Sequence, residues 1–217
     1  MFSESMLKEL EIQVKNKLTE HRYIHTLGVR DAALKIADFC YDGDKSEVAV
    51  AAMLHDISKE YSVAEQFDMM RNSNYSLTDT DLMSEPVFHS FTAPIVIKKE
   101  FASFATDNVF SAVFNHTTGA PDMSLFDEII FVADYIEEGR KYEHCKLVRK
   151  TLYDAFLASK DKEECIMHLH DATIMALEHT IINLINNKKV LNERTVASRN
   201  AFLARVPAPL ASQRKDY

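Results

Sequence analysis

The heptapeptide Met53-Leu54-His55-Asp56-Ile57-Ser58-Lys59 ends an unbroken apolar run, Val48-Ala49-Val50-Ala51-Ala52-Met53-Leu54. A helix that is apolar on every side is a buried helix. The run therefore delivers His55 and Asp56 inside the protein. A buried imidazole–carboxylate pair must be hydrogen-bonded, ion-paired or metal-bound, because an unpaired buried charge is costly. Taken alone, such a pair is a satisfied core feature more often than a site. Yet imidazole is the commonest side-chain metal ligand at neutral pH, and the adjoining carboxylate adds the negative charge a divalent cation wants. Lys59, three residues on, is a compact cation suited to a phosphate.

Outward from this stretch the chain reads as helix after helix. Upstream, Leu7, Leu10, Val14 and Leu18 form one stripe within a helix from about Ser3 to Leu18. Thr19 caps a second helix carrying His21 and His25, which stand four apart on one face. Asp44 and Glu47 read as a capping box for the apolar helix. Downstream, Ser62 with Glu65 caps a short helix to about Arg71, and Thr78–Met83 is another. Pro86 opens a segment with His89, and Pro94 should kink or reset it. Asp107 is expected to cap a helix ending at His116, where Gly119 and Pro121 stop it. Ser124 with Asp127 caps a very apolar helix that contains Asp134, with Arg140 just beyond. Two long helices, about Tyr142–Ser159 and Lys162–Asn187, carry core stripes, and Thr195 begins a last short one. His144, His168 and His170 show no partner pattern and read as structural or surface.

Composition agrees. The 217 residues, with only 4 Gly and 5 Pro, suit one helical domain over residues 1–205 and a loose tail over 206–217. A net charge of −8 argues against a broad grip on nucleic acid. Three cysteines without CxxC spacing, no secretory signal and no membrane-length apolar run make the cytoplasm the expected location, with no membrane partner.

The polar intrusions form one set: His21 and His25, His55 and Asp56, His89, His116, and Asp134. They ride on five separate segments, most otherwise apolar. Helices that each turn a His or Asp toward a common centre make a bundle metal site. Imidazoles and carboxylates without thiolates suit iron, manganese or another divalent ion better than structural zinc.

The order H…HD…H…H…D resembles the HD-domain metal-dependent phosphohydrolases, an all-α helical bundle with a buried metal site. The strings His21–Val29, Leu54-His55-Asp56, His116-Thr117-Thr118-Gly119 and Ile129–Glu137 resemble the YqeK family, over about residues 16–200. That family cleaves diadenosine tetraphosphate symmetrically to two ADP. The resemblance implies His25, His55, Asp56 and Asp134 as metal ligands, with iron the first choice of ion and one or two ions per site. His89 and His116 would hold a second metal or the phosphates. His21, Lys59, Thr117 and Arg140 would face the substrate, a dinucleoside polyphosphate or purine nucleoside diphosphate. Asp56 would be the catalytic residue, nearest the attacking water. A homodimer is compatible with all of this. The sequence departs from the family at Ala120, where Arg is frequent, at Asp127-Glu128, where Glu-Lys is usual, and at Glu138, in place of Pro. Another HD nucleotidase or dNTP phosphohydrolase, a diiron oxygenase, and a non-enzymatic nucleotide sensor are the alternatives at this point.

Overall fold

The computed structural model describes residues 1–205; the tail expected over 206–217 lies outside the described residues. Among the described residues there are α-helices, two short 3-10 turns and no strand. The helices are α1 (Glu4–Lys17), α2 (Glu20–Cys40), α3 (Lys45–Leu54), α4 (Val63–Arg71), α5 (Asp79–Met83) and α6 (Phe88–Glu100). After them come α7 (Asp107–Asn115), α8 (Leu125–Ile136), α9 (Glu143–Ala158), α10 (Lys162–Asn186) and α11 (Glu193–Arg205). None is long and apolar enough to cross a membrane. Cys40, Cys145 and Cys165 are buried and free.

The apolar run does what its composition demands. Every residue of α3 from Val48 to Leu54 is buried. Helices α2 and α8 pack along it, α7 closes a further side, and α10 covers α2 and α8 while carrying α9 and α11. Val29, Ala33 and Ile36 of α2 meet Ile129, Ile130 and Ala133 of α8 in one core, all with no solvent exposure. Each buried Val, Leu or Ile contributes about 1.5–3 kcal/mol. A smaller cluster of Met70, Phe88 and Phe91, with Phe67 and Phe114 against it, joins α4, α6 and α7.

Thr19, Ser62 and Ser124 cap their helices as expected, the last two as full capping boxes, and Thr78 caps α5 with a box of its own. Four local expectations are corrected. Asp44 caps α3 through the Ser46 N–H, but Glu47 does not complete a box; its carboxylate accepts from Thr106 Oγ1 and Asn108 Nδ2. Thr106, not Asp107, caps α7, leaving Asp107 in the first turn. The last helix starts at Glu193, two residues before Thr195. Pro94 does not break α6, which continues to Glu100. A proline removes only the bond to the carbonyl four residues back. Here Ser90–Pro94 are all buried, with α4 and α7 packed on the helix.

This packing sets the site. His25 lies on α2, His89 in the first turn of α6, and Asp134 in the last turn of α8. His55 and His116 are the residues immediately after α3 and α7. Asp56 and Lys59 follow in a chain of turns, closed by Ile57 N–H to Leu54 O and Lys59 N–H to Asp56 O.

Candidate metal centre

His55 and His116 are built alike. Each is a helix C-cap, where backbone carbonyls lack helical partners. Each donates its Nδ1–H to the carbonyl three residues back: His55 to Ala52 O at 2.7 Å and His116 to Val113 O at 2.6 Å. His25 does the same with a carboxylate, its Nδ1 lying 3.2 Å from Glu137 Oε1. Holding Nδ1 in this way fixes the ring and turns the Nε2 lone pair outward, as in metal-ligating histidines.

The freed Nε2 atoms converge on carboxylates. His25 Nε2 lies 3.1 Å from Asp134 Oδ1 and 3.8 Å from Asp56 Oδ2. His55 Nε2 lies 3.7 Å from Asp56 Oδ2 and 3.9 Å from Asp134 Oδ1. Ligands about 2.1 Å from one ion stand about 3.0 Å apart at right angles and about 3.4 Å apart in a tetrahedron. The His25–Asp134 distance falls in that range, and the other three exceed it by a few tenths of an ångström. Two of them, His25 Nε2 and His55 Nε2, are buried without any hydrogen-bond partner. Buried polar atoms are rarely left so. The His25–His55–Asp134 group, and a second one of His55, Asp56 and His116, have the spacing to hold a metal ion. The donor set fits a divalent cation.

Asp56 joins two halves. Its Oδ2 faces His25 and His55 and accepts from Arg22 at 2.7 Å. Its Oδ1 faces His89 Nε2 at 3.2 Å and His116 Nε2 at 3.8 Å. Behind His89, Lys59 Nζ donates to its Nδ1 at 2.7 Å and reaches Pro86 O at 3.3 Å. Lys59 Nζ also lies 3.2 Å from Nε2, but its shorter contact at Nδ1 favours the ring proton on Nε2, where Thr117 Oγ1 and His116 Nε2 both stand at 3.1 Å. Ser58 Oγ donates to His89 O at 3.0 Å and ties the His-Asp turn to α6.

The charges follow from this layout. Burial pushes the His55 pKa down to about 4, against the attraction of Asp56 and Asp134, so its ring is neutral. Burial also opposes charge on His25, but Asp134 and Glu137 outweigh it and raise the pKa to about 9. Asp56 and Asp134 are held well below the usual carboxylate range despite burial, Asp56 by the imidazoles and Lys59 around it and Asp134 chiefly by Arg140. Burial, then Lys59, holds His89 well below the usual imidazole range. Lys59 is itself lowered, chiefly by burial.

Six residues singled out in the sequence thus meet in one cluster: His25, His55, Asp56, His89, His116 and Asp134. Lys59 and Thr117 touch it through His89. Arg140 is bound to Asp134, by Nη2 to Oδ1 at 2.5 Å and Nε to the backbone O at 2.9 Å. His21 is exposed and makes none of the cluster's hydrogen bonds, ion pairs or ring contacts; Arg22, its neighbour, reaches the centre instead. Glu137 was also missed. Both had a signal: Arg22 stands three residues before His25, and Glu137 three after Asp134, each one helical turn away.

The model of the HD domain matches residues 22–139, which begin at Arg22 and end just short of Arg140. The chain belongs to the HD-domain family. Curated relatives of this HD protein carry the name symmetrical bis(5'-nucleosyl)-tetraphosphatase. The one from Halalkalibacterium halodurans is 32% identical over 190 residues, 88% of this chain and 93% of the relative. The one from Staphylococcus aureus is 33% identical over 174 residues, covering 79% and 85%. The one from Bacillus subtilis is 29% identical over 187 residues, covering 86% and 92%. A crystal structure from Clostridium acetobutylicum, titled a predicted HD superfamily hydrolase involved in NAD metabolism, superposes with a TM-score of 0.79. It is 29% identical and the match covers 94% of this chain and 99% of that one. The HD fold expected from the motif order is therefore present.

The sequence departures now have structural roles. Asp127 accepts from Ser111 Oγ and the Ser124 N–H, and Glu128 accepts from His170 Nδ1 at 2.7 Å and Thr173 Oγ1. His170, expected to be structural, is so. Ala120 is buried and its carbonyl accepts from Ser198 of α11. Glu138 pairs with Arg149 at the surface.

Proposed function

We propose that this chain is a metal-dependent phosphohydrolase that cleaves diadenosine tetraphosphate at its central bridge, releasing two ADP. The observation that carries the reading is the convergence of His25, His55, Asp56 and Asp134, with two orphaned Nε2 atoms, beside Arg22, Lys59 and Arg140. These four residues would hold a divalent ion, iron before manganese. When bound, the ion supplies a Lewis acid and water acidified toward neutral pH.

The protein's own groups supply the rest. Asp56, ionised and shared between the two halves, orients the attacking water. Arg22, Arg140 and Lys59 bring three cations to a buried centre, where charge stabilisation is worth most. They neutralise the negative charge that builds on the leaving ADP. Lys59 Nζ, 2.7 Å from His89 Nδ1, is placed to give a proton to that nitrogen as Nε2 gives its own away, so the ring ends as a neutral imidazole. His89 is thus the group placed to protonate the leaving oxygen, and His116, held as an acceptor by its bond to Val113 O, is not. Thr117 Oγ1 lies beside the same nitrogen and is placed to steer a phosphate oxygen. Glu137, through His25, is a positioning residue.

A second ion on the Asp56 Oδ1 side is favoured by the His55–Asp56–His116 group. Metal counting on the purified protein tests it. Product chromatography tests the reaction. Two ADP from diadenosine tetraphosphate supports it. AMP with ATP, or nucleoside with phosphate, would reassign the chain to another HD chemistry, and a dependence on oxygen would make it an oxygenase.

A further inference from the structure

Helix α8 ends in a turn that addresses the metal centre twice. Glu137, its C-cap, leaves helical geometry with φ −54° and ψ 154°. Its Oε1 lies 3.2 Å from His25 Nδ1, and its Oε2 accepts from the Gly139 N–H. Three residues on, Arg140 donates its N–H to Glu137 O at 2.9 Å, and its side chain reaches back to Asp134. One short turn thus sets the partner of a metal-ligating histidine and the cation on a metal-ligating carboxylate. Carbonyls at a helix end have no partner within the helix, so such a turn keeps its shape only where another group takes them up.

Arg149 takes them up from α9, beyond the matched HD residues 22–139. Its Nε donates to Ile136 O, and its Nη2 donates to Glu137 O and to Arg140 O, the last at 3.2 Å. The remaining nitrogen, Nη1, pairs with Glu138 Oε2 at 3.2 Å. Every nitrogen of the guanidinium is therefore used, and all four partners belong to the one turn. The Arg149 side chain is only 14% exposed, whereas Glu138 is 81% exposed, so the carbonyls hold the guanidinium more than the ion pair does. The charge also sits at the negative end of α8, where a cation is favoured. Val148 and Leu152, buried beside it on α9, anchor that helix in the core. A planar fork of donors can bridge carbonyls of three residues; the point charge of a lysine cannot.

We propose that Arg149 is a positioning residue for the metal centre: by gathering the carbonyls of Ile136, Glu137 and Arg140, it fixes the turn that keeps the Glu137 carboxylate on His25. The inference rests on the reading of His25 as a metal ligand given above. Arg149 acts through the backbone of the turn and not on the reacting atoms. Without its guanidinium the turn opens, the carboxylate leaves a bond already 3.2 Å long, and His25 Nε2 loses its fixed aim. The Arg140 arm of the turn acts on metal in the opposite sense. Its Nη2 competes with a cation for Asp134 Oδ1, so loosening Arg140 does not weaken metal binding. A loss of metal affinity therefore reports the Glu137 arm.

Calorimetric titration of the full-length, metal-free protein with Mn²⁺ tests this, in a double-mutant cycle with Glu137→Ala. Arg149→Met keeps the apolar stem and removes every donor; Arg149→Lys keeps the charge and removes the fork. In the wild-type background Arg149→Met should weaken Mn²⁺ binding about 10–100-fold, and Arg149→Lys should restore little of it. In the Glu137→Ala background, where the carboxylate is already gone, Arg149→Met should cost less than about threefold more. Wild-type Mn²⁺ affinity in Arg149→Met, or losses that multiply in the double variant, would overturn the positioning role. Metal-free melting is followed for every variant. Should Arg149→Met not fold, Arg149→Lys carries the same cycle, and failure of both to fold would make Arg149 part of the fold alone and overturn the proposal. Wild type that binds no Mn²⁺ would overturn the metal reading itself. Product analysis on diadenosine tetraphosphate, run in parallel on wild type, judges the reaction separately: coupled losses of Mn²⁺ affinity without wild-type turnover would retain Arg149 in its role and reject the hydrolase.

Discussion

Gly28 is where stability and function should part. A Cβ at this position in α2 would lie 2.5 Å from Glu137 Oε2 and 3.3 Å from Glu137 Cδ. Ordinary carbon–oxygen contacts begin near ~3.2 Å, so the carboxylate must retreat by roughly 0.7 Å. Its bond to His25 Nδ1 is already 3.2 Å long, at the outer end of the useful range. Gly28→Ala therefore releases His25 from its partner. Losing an outer partner of a metal-ligating histidine costs about 10–100-fold in metal affinity, or ~1.4–2.7 kcal/mol. The fold should not suffer: the displaced group is the flexible end of a side chain, and Ala in place of a mid-helix Gly stabilises by roughly 0.5–1 kcal/mol. Metal titration and metal-free thermal denaturation of the two proteins read the two effects. The expected variant binds metal weakly yet melts, metal-free and above pH 9 where His25 is neutral, at or above the wild-type temperature. Wild-type metal affinity in Gly28→Ala would refute the chain of reasoning from Gly28 through Glu137 to His25.

Other outcomes are expected at the same centre. Asp56→Ala should strip metal and abolish turnover, both read on chelator-free preparations; a fully active Asp56→Ala protein is incompatible with the proposal. Arg22→Ala should lower kcat/KM on the order of 100-fold, whereas His21→Ala should leave it within about twofold; equal losses would restore His21 to the site. His25 carries a pKa of about 9 without metal, so near neutral pH it must lose a proton before binding one. Apparent metal affinity should accordingly rise as pH climbs toward 9, with close to one proton released per ion from this residue, measured by calorimetry in buffers of different ionisation enthalpy. Metal-free stability runs the other way for His25. Its folded pKa is raised, so its contribution is complete below about 6.5 and is lost as pH rises through about 9. For His55 the folded pKa is lowered to about 4, so stability is lost as pH falls from about 6.5 to 4.

Much of this was legible in the chain because the informative signals are local. Thr19, Ser62 and Ser124 act on backbone within their own first turn, and spacing alone reveals them. Val48–Leu54 can only be a buried helix, and it fixes where His55 and Asp56 must lie. The cap of α7 and the start of α11 were off by a residue or two, as local signals are; the other misreadings were decided by a distant partner. Glu47 was drawn from its cap by Thr106, 59 residues away. Pro94 is tolerated because neighbouring helices hold α6. Arg22 and Glu137 serve the site through Asp56 and His25, 34 and 112 residues away in sequence. Helical spacing places each on the correct face but cannot choose Arg22 over His21. Nor can it show that Arg140, which looks like a free phosphate cation, is held by Asp134.

The central claim is that His25, His55, Asp56 and Asp134 hold a divalent ion that hydrolyses the middle of a dinucleoside tetraphosphate. The measurement that tests it most directly is metal content per chain, in protein purified without chelator, taken with product analysis on diadenosine tetraphosphate. The account predicts one or two divalent ions per chain and two ADP as the only nucleotide products, both lost on chelation and restored by iron or manganese. Full turnover by metal-free protein, or AMP and ATP from the metal-loaded one, would contradict it.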